Sequence, residues 1–400
     1  MSLRIAYLCA DPGVPVFGTK GASVHVQEIV RSWRARGARV HLYCARIGDH
    51  VPDDLRDLPV THIPVPDGSL AGERERAQQR VAAHLADAAL ADGVDIVYER
   101  YSLFSRALSV VGAGVAGARI VRILEVNSPL IEEQARYRRL VDAPAAWATL
   151  RAQVDAADRV VAISPPVADW VCGHTAAGDR LRVVPNGVNV DRIRPSATSA
   201  SRSGTAVVVF VGTLKPWHGI EILIEAAALA CSSWQLRIIG DGPLRQSLRE
   251  QATARGVPVD FRGAVAPDHI AGELNDAIVA VAPYPASDDH YFSPLKIYEY
   301  AAAGLPVVAS DLGQVPRIVT HGETGLLVPP SDPAALAASI DALVLHPERA
   351  ARLGRAGRAR AVAEHSWTQA LDRILDGLAA DDLATAREDS EPETVGASHG

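Results

Sequence analysis

Short, near-continuous apolar runs alternate with segments of helical period along this chain, and the alternation starts over near residue 205. That order constrains the fold more than any other feature. A run, a crossover helix and a second run must lie parallel, because the helix carries the chain back to the end it started from. In the first half the runs fall at 4–10, 39–44, 95–98, 120–126, 159–163 and 181–184. In the second they fall at 206–211, 236–239, 259–262, 278–282, 306–309 and 325–328. The first crossover is the clearest: Ala22, Val26, Ile29, Val30 and Trp33 share one face of a 3.6-residue period, and Gly37 stops it. Residues 206–211 read AVVVFV, the pattern of a strand buried on both faces. The predicted class is α/β, with two doubly wound domains in tandem and a cleft between them. In such sheets ligands sit outside the carboxyl ends of the strands, so chemistry is sought in the loops after strands.

Residues 195–204 (PSATSASRSG) carry no apolar period and read as a linker between a domain at 1–194 and another at 205–365. The length of 400 residues fits two domains of about 150–200 residues. A helix near 367–378 closes the ordered chain, and the polar, acidic tail 381–400 is expected to be disordered. With a net charge of -7, no global basic field draws the chain to nucleic acid. Cys9, Cys44, Cys172 and Cys231 form no CxxC pair and read as reduced, mostly buried thiols of a cytoplasmic protein. The first apolar run stops at Asp11 and Pro12, too soon for a signal peptide, and no run reaches the roughly 20 residues of a membrane helix. The basic stretch Arg136–Leu140 reads as a solvated face of a helix that also carries Trp147; contact with anionic lipid is the alternative. There is no HExxH, no zinc spacing and no Asp-x-Asp after a strand, so no metal is expected. Asp288-Asp289-His290 reads as a loop cap.

Of 40 basic residues only Lys20, Lys215 and Lys296 are lysine. In an arginine-dominated chain, a retained lysine points to a site that needs a compact ammonium, and all three are expected to face one pyrophosphate pocket. The strongest motif is Ser293-Pro294-Leu295-Lys296-Ile297-Tyr298-Glu299, ended by Gly304. Ser293 reads as N-cap and Pro294 as the first helical residue, leaving the N–H groups of Leu295 and Lys296 for an anion. Glu299, about 6 Å further along the axis, is placed to accept from a ribose. An ordinary capped helix with an exposed Lys–Glu pair is an equal reading. The loop Gly212–Gly219 follows a buried strand and offers Lys215 and His218 to a diphosphate, with Trp217 read as packing. The turn Gly18-Thr19-Lys20-Gly21 lets backbone approach a ligand. His25, Glu28 and Ser32 read as the solvated side of the first helix. The letters GAGVAG at 112–117 follow a helix and precede a strand, the reverse of a dinucleotide-binding turn, and are set aside.

With these motifs the chain resembles glycosyltransferase family 4. The carriers are PVFGTKGASVHV (15–26), VVPNGVNVDRIRP (183–195), FVGTLKPWHG (210–219), IIGDGP (238–243), FSPLKIYEYAAAGLPVVASD (292–311) and GETGLLVPPSDPAALA (322–337). The resemblance implies the GT-B fold of two facing Rossmann-like domains, the second binding the donor, with segment 366–380 crossing back to the first. It implies that Glu299 holds the donor ribose, as the second carboxylate of the family's Glu-x7-Glu motif. Ser293 to Lys296 would bind diphosphate and donor sugar, Gly18 to Gly21 would close on the phosphate, and Arg262-Gly263 would meet the nucleobase through backbone. The first carboxylate would fall at Tyr291, so its sugar contact passes to Asp288, Asp289, His290 or backbone. The family's Arg and Lys pair would fall at Thr213 and His218, with Lys215 restoring charge. A first-domain histidine would fall at Asn127, beside Glu125.

The expected activity is metal-independent transfer of a sugar from a UDP- or GDP-linked donor, and the resemblance implies retention at the anomeric carbon. The acceptor is a glycan, a lipid-linked molecule or a small molecule. A nucleotide-sugar epimerase on the same fold and a non-catalytic nucleotide-sugar binder are the rival readings.

Overall fold

A computed structural model describes residues 2–66, 70–113, 119–195, 205–287 and 290–378. Residues 196–204 of the expected linker 195–204, the tail at 381–400, Asp288 and Asp289 lie outside the described residues. Two compact units result: Met1–Gly18 with His25–Val184 and Leu371–Gly400, and Thr19–Val24 with Pro185–Ala370.

The first unit is built on β1 (Arg4–Cys9), β2 (Arg39–Cys44), β3 (Val60–His62), β4 (Ile96–Arg100), β5 (Val121–Val126), β6 (Arg159–Ala162) and β7 (Leu181–Val183). They form one sheet in the order β3-β2-β1-β4-β5-β6-β7, with every neighbouring pair parallel. The second unit contains β8 (Ala206–Val211), β9 (Trp234–Ile239), β10 (Val259–Gly263), β11 (Ala277–Ala282), β12 (Val307–Ser310) and β13 (Gly325–Val328), ordered β10-β9-β8-β11-β12-β13 and again parallel throughout. In each sheet the order reverses beside the first strand, so the loops after β1 and β4, and after β8 and β11, flank the switch point where such sheets bind ligands.

The all-apolar β8 behaves as its sequence demands. Successive side chains leave a strand on opposite faces: Val207 and Val209 enter one core with Tyr284, Ile297 and Tyr300, while Val208 and Phe210 enter the other with Leu214, Ile238 and Val281. Strand β3 and the helix Ala71–Ala91 are among the elements that escaped the apolar-period reading. Strand β3 spans three residues, too few to show a period. The helix Ala71–Ala91 buries mainly alanine, with Val81 and Leu85, so its apolar stripe is faint. At the false dinucleotide motif, the helix Ala107–Ala113 comes before and β5 after. The basic stretch is not on the helix of Trp147: one helix ends at Tyr137 and the next starts at Ala143. Of the four thiols only Cys9 and Cys44 are buried; Cys172 and Cys231 are exposed.

Candidate active site

The second unit gathers its chemistry where β8 gives way to its loop. Gly212 has φ +152, and its N–H donates to the Ile239 carbonyl at 2.9 Å. A Cβ at this position would come within 2.9 Å of the Lys296 ammonium. The absence of a side chain is what lets that ammonium lie against the backbone. Leu214 N–H then donates to Asp241 O at 3.0 Å, lacing the loop after β8 to the loop after β9. A single 3-10 turn, Pro216–His218, presents His218, and Gly219 in the left-handed region starts the next helix.

Lys296 approaches from the helix Leu295–Ala302 and is 8 % exposed. Its Nζ lies 3.1 Å from His218 Nδ1, 4.1 Å from the Phe210 ring centroid and 5.4 Å from that of Tyr284. The exposed Lys–Glu pair of an ordinary helix is therefore excluded. Among the described residues no carboxylate is bonded to this ammonium. Burial pulls its pKa from 10.5 down to about 7, with Glu299 one turn away opposing the fall. Burial, then the charges of Lys296 and Lys215, lower His218 to about 2. The ring is therefore neutral, and because its Nδ1 accepts from lysine, its proton resides on Nε2. Lys215 lies over the face of Trp217 at 4.4 Å; Trp217 is 47 % exposed, a platform for the lysine instead of the packing residue expected. The aromatic faces offset only part of the cost of a buried cation.

The helix bearing Lys296 is held differently from the sequence expectation. It starts at Leu295, Pro294 occupies the cap position, and no side chain caps it. Ser293 instead turns to the Asn186-Gly187 turn: its Oγ accepts from Asn186 N–H at 3.0 Å, and Asn186 Nδ2 donates to the Ser293 carbonyl at 2.9 Å. A proline at the cap cannot supply an accepting side chain, so the serine is free for a tertiary bond. The far end is as expected. Gly304, at φ +71, donates to Ala301 O while Leu305 donates to Tyr300 O, the Schellman pattern.

Glu299 lies half-buried on the same helix. His290 and Phe292 join the cluster through Tyr284, whose ring stands 6.0 Å and 5.3 Å from theirs and 6.1 Å from His218; Tyr291 packs its edge on Phe292 at 6.5 Å. Arg262 is bonded to Glu273 at 3.1 Å, and Gly263, at φ +77, accepts from Gly240 N–H at 2.7 Å. Both sit at the end of β10. Lys20 and Gly21 are exposed at the start of the helix Gly21–Ala35, and the carbonyl of Gly18 accepts from Gln27 at 3.1 Å.

The first unit holds a second polar cluster that sequence reasoning misjudged. His25, Glu28 and Ser32 are buried, not solvated. His25 Nε2 lies 2.7 Å from Glu125 Oε1, and its Nδ1 lies 3.3 Å from Arg100 Nη1. A polar stripe at i, i+3 and i+7 looks the same whether it faces water or a buried partner. The available signal was the carboxylate itself: Glu125 interrupts the apolar β5, and a buried charge demands a partner.

Residues 205–346 match glycosyl transferases group 1, and residues 19–192 match glycosyltransferase family 4. The D-inositol 3-phosphate glycosyltransferase of Acidothermus cellulolyticus is 30% identical, over 95% of this chain and 88% of that one. The chain belongs to glycosyltransferase family 4. The alpha-maltose-1-phosphate synthase of Mycolicibacterium smegmatis is 28% identical over 94% of this chain and 98% of its own. Among solved structures, Alr3699/HepE of Anabaena, crystallised with UDP and glucose, aligns at a TM-score of 0.70 and 21% identity, covering 94% of this family 4 chain and 99% of that protein. The two parallel sheets are those of a GT-B glycosyltransferase that uses a nucleotide-sugar donor.

Proposed function

We propose that this glycosyltransferase takes its sugar from a UDP- or GDP-linked donor whose diphosphate is held by Lys215, His218, Lys296 and the start of the Leu295 helix. The observation that carries the reading is the Lys296 ammonium, buried against His218 with no carboxylate bonded to it among the described residues. Such a site is short of one anion. A diphosphate supplies it, and as the glycosidic bond breaks, the charge growing on the leaving phosphate meets groups already in place. His218, with its proton on Nε2, donates to that charge without carrying one. Glu299 would take the ribose hydroxyls, Gly263 the base through backbone, and His290 and Tyr291 the sugar in place of the missing carboxylate. The lysines and the helix start do the work a divalent ion does elsewhere, so the reaction is metal-independent, and it proceeds with retention.

The test is incubation with UDP- and GDP-sugars in the presence of EDTA, scored for sugar release or transfer. Turnover that survives chelation, is lost in Lys296→Ala and falls in Glu299→Ala supports the reading. Binding without turnover identifies a non-catalytic binder, isomerised sugar an epimerase, and turnover abolished by EDTA a metal enzyme.

A further inference from the structure

Among the described residues, the two most exposed large apolar side chains are Leu70 and Tyr137, at 63 % each, and a third, Val141, is 50 % exposed. The chain brings all three to one surface of the first unit. Val141 Cγ1 lies 3.5 Å from where a Cβ of Gly72 would stand, two residues after Leu70. Tyr137 is four residues before Val141, within about 14 Å even for a fully extended chain. Single exposed apolar residues are ordinary, but several gathered on one surface mark a place that meets something.

This surface is also held in place. The N–H groups of Val141 and Asp142 donate to the two carboxylate oxygens of Glu75 at 2.7 and 3.0 Å. Glu75 is buried on the helix Ala71–Ala91. The fork fixes the backbone that presents Val141 to water and staples it to the helix that starts just after Leu70.

Charge identifies the partner. Arg74, Arg76 and Arg80 are exposed along the first turns of the same helix, and Arg136, Arg138 and Arg139 are exposed around Tyr137. The Arg136 guanidinium lies 5.2 Å from the Tyr137 ring centroid. The exposed acids of residues 70–80 and 136–142 are Glu73 and Asp142, and Asp142 caps the next helix by accepting from Ala145 N–H at 2.9 Å. The patch is therefore basic on a chain of net charge -7. A dissolved polyanion has no use for the bare aliphatic Leu70 and Val141. An anionic lipid surface uses both features, since apolar side chains sink below the headgroups while arginines stay among the phosphates.

We infer that this surface docks the first unit on a bilayer that carries anionic lipid. Leu70, Tyr137 and Val141 enter the boundary between headgroups and acyl chains, and the surrounding arginines pair with lipid phosphates. The inference goes beyond the transferase reading and does not depend on it.

The experiment sediments the full chain with vesicles of phosphatidylcholine alone, and of phosphatidylcholine mixed equally with phosphatidylglycerol, at low and at high salt. The wild-type chain should bind the mixed vesicles only, and less at high salt. Arg138→Gln combined with Arg139→Gln should weaken binding about 25-fold, at roughly fivefold for each basic residue near an anionic leaflet. Leu70→Ser combined with Val141→Ser should weaken it about tenfold at either salt concentration; the backbone N–H that Glu75 accepts survives this change, and an unaltered melting temperature checks that the fold does too. Arg352→Gln combined with Arg355→Gln, exposed on the helix Pro347–Glu364 of the second unit, should bind as wild type. Absence of binding to the mixed vesicles, equal binding to the neutral ones, or an equal loss in the second-unit pair overturns the inference. Binding that falls with the arginines but not with Leu70 and Val141 makes the surface a polyanion site and refutes the bilayer.

Discussion

Replacing Lys296 with methionine should make the empty protein more stable and its donor site useless. The fall in the lysine's pKa from 10.5 to about 7 corresponds to about 5 kcal/mol against carrying its charge in the folded state. That figure is an upper bound, since methionine also loses the contacts with Phe210 and Tyr284. The sign follows from proton counting. Between pH 7 and 10.5 the unfolded chain holds the proton and the folded chain does not, so wild-type stability climbs with pH across that window. Below about pH 7 both states are protonated and the full penalty stands. Lys296→Met should therefore raise the melting temperature at pH 6–7 by several degrees, at about 2–4 °C per kcal/mol for units of this size, with a gap that narrows toward pH 10. A diphosphate restores the pKa, so wild-type binding of UDP or GDP near pH 7.5 should take up a fraction of a proton, seen as a calorimetric enthalpy that varies with the buffer's ionisation enthalpy. The variant should show neither the uptake nor the nucleotide-induced thermal shift. A variant that melts lower than wild type at pH 7 and still shifts with nucleotide would refute the reasoning.

Two other substitutions probe the same site from its supports. Gly212→Ala puts a Cβ at φ +152 and 2.9 Å from the Lys296 ammonium, which must move away; a stability loss of about 1–3 kcal/mol and nucleotide affinity down at least tenfold are expected by denaturant melts and titration, and wild-type affinity would show that the ammonium's position is immaterial. Asn186→Ala removes the amide that donates to the Ser293 carbonyl; about 1 kcal/mol of stability and a raised donor KM with little change in kcat are expected, whereas an unchanged KM would mean the helix start needs no such anchor.

The frame was legible because it rests on apolar area. Runs such as AVVVFV must be buried on both faces, and parallel sheets covered by helices offer that; both sheets followed from it apart from the three-residue edge strand β3. The lysine cluster was legible for a different reason: scarcity. Where arginine is the default, Lys215 and Lys296 stood out, and they meet around His218. Local rules were less dependable wherever tertiary partners compete for the same polar atom. Ser293 has the right chemistry for a helix cap, yet Asn186 claims its hydroxyl. Trp217 has the size of a core residue, yet the 3-10 turn of Pro216–His218 leaves it outside under a lysine. His25 was misjudged most, because helical spacing says which residues share a face and nothing about what that face meets. Its partner lies 100 positions away on β5, and no periodicity within a helix reports on that. Paired polar groups identify one another only across the fold, so a lone acid inside an apolar strand, as at Glu125, is the sequence mark that should prompt the search for its histidine or arginine.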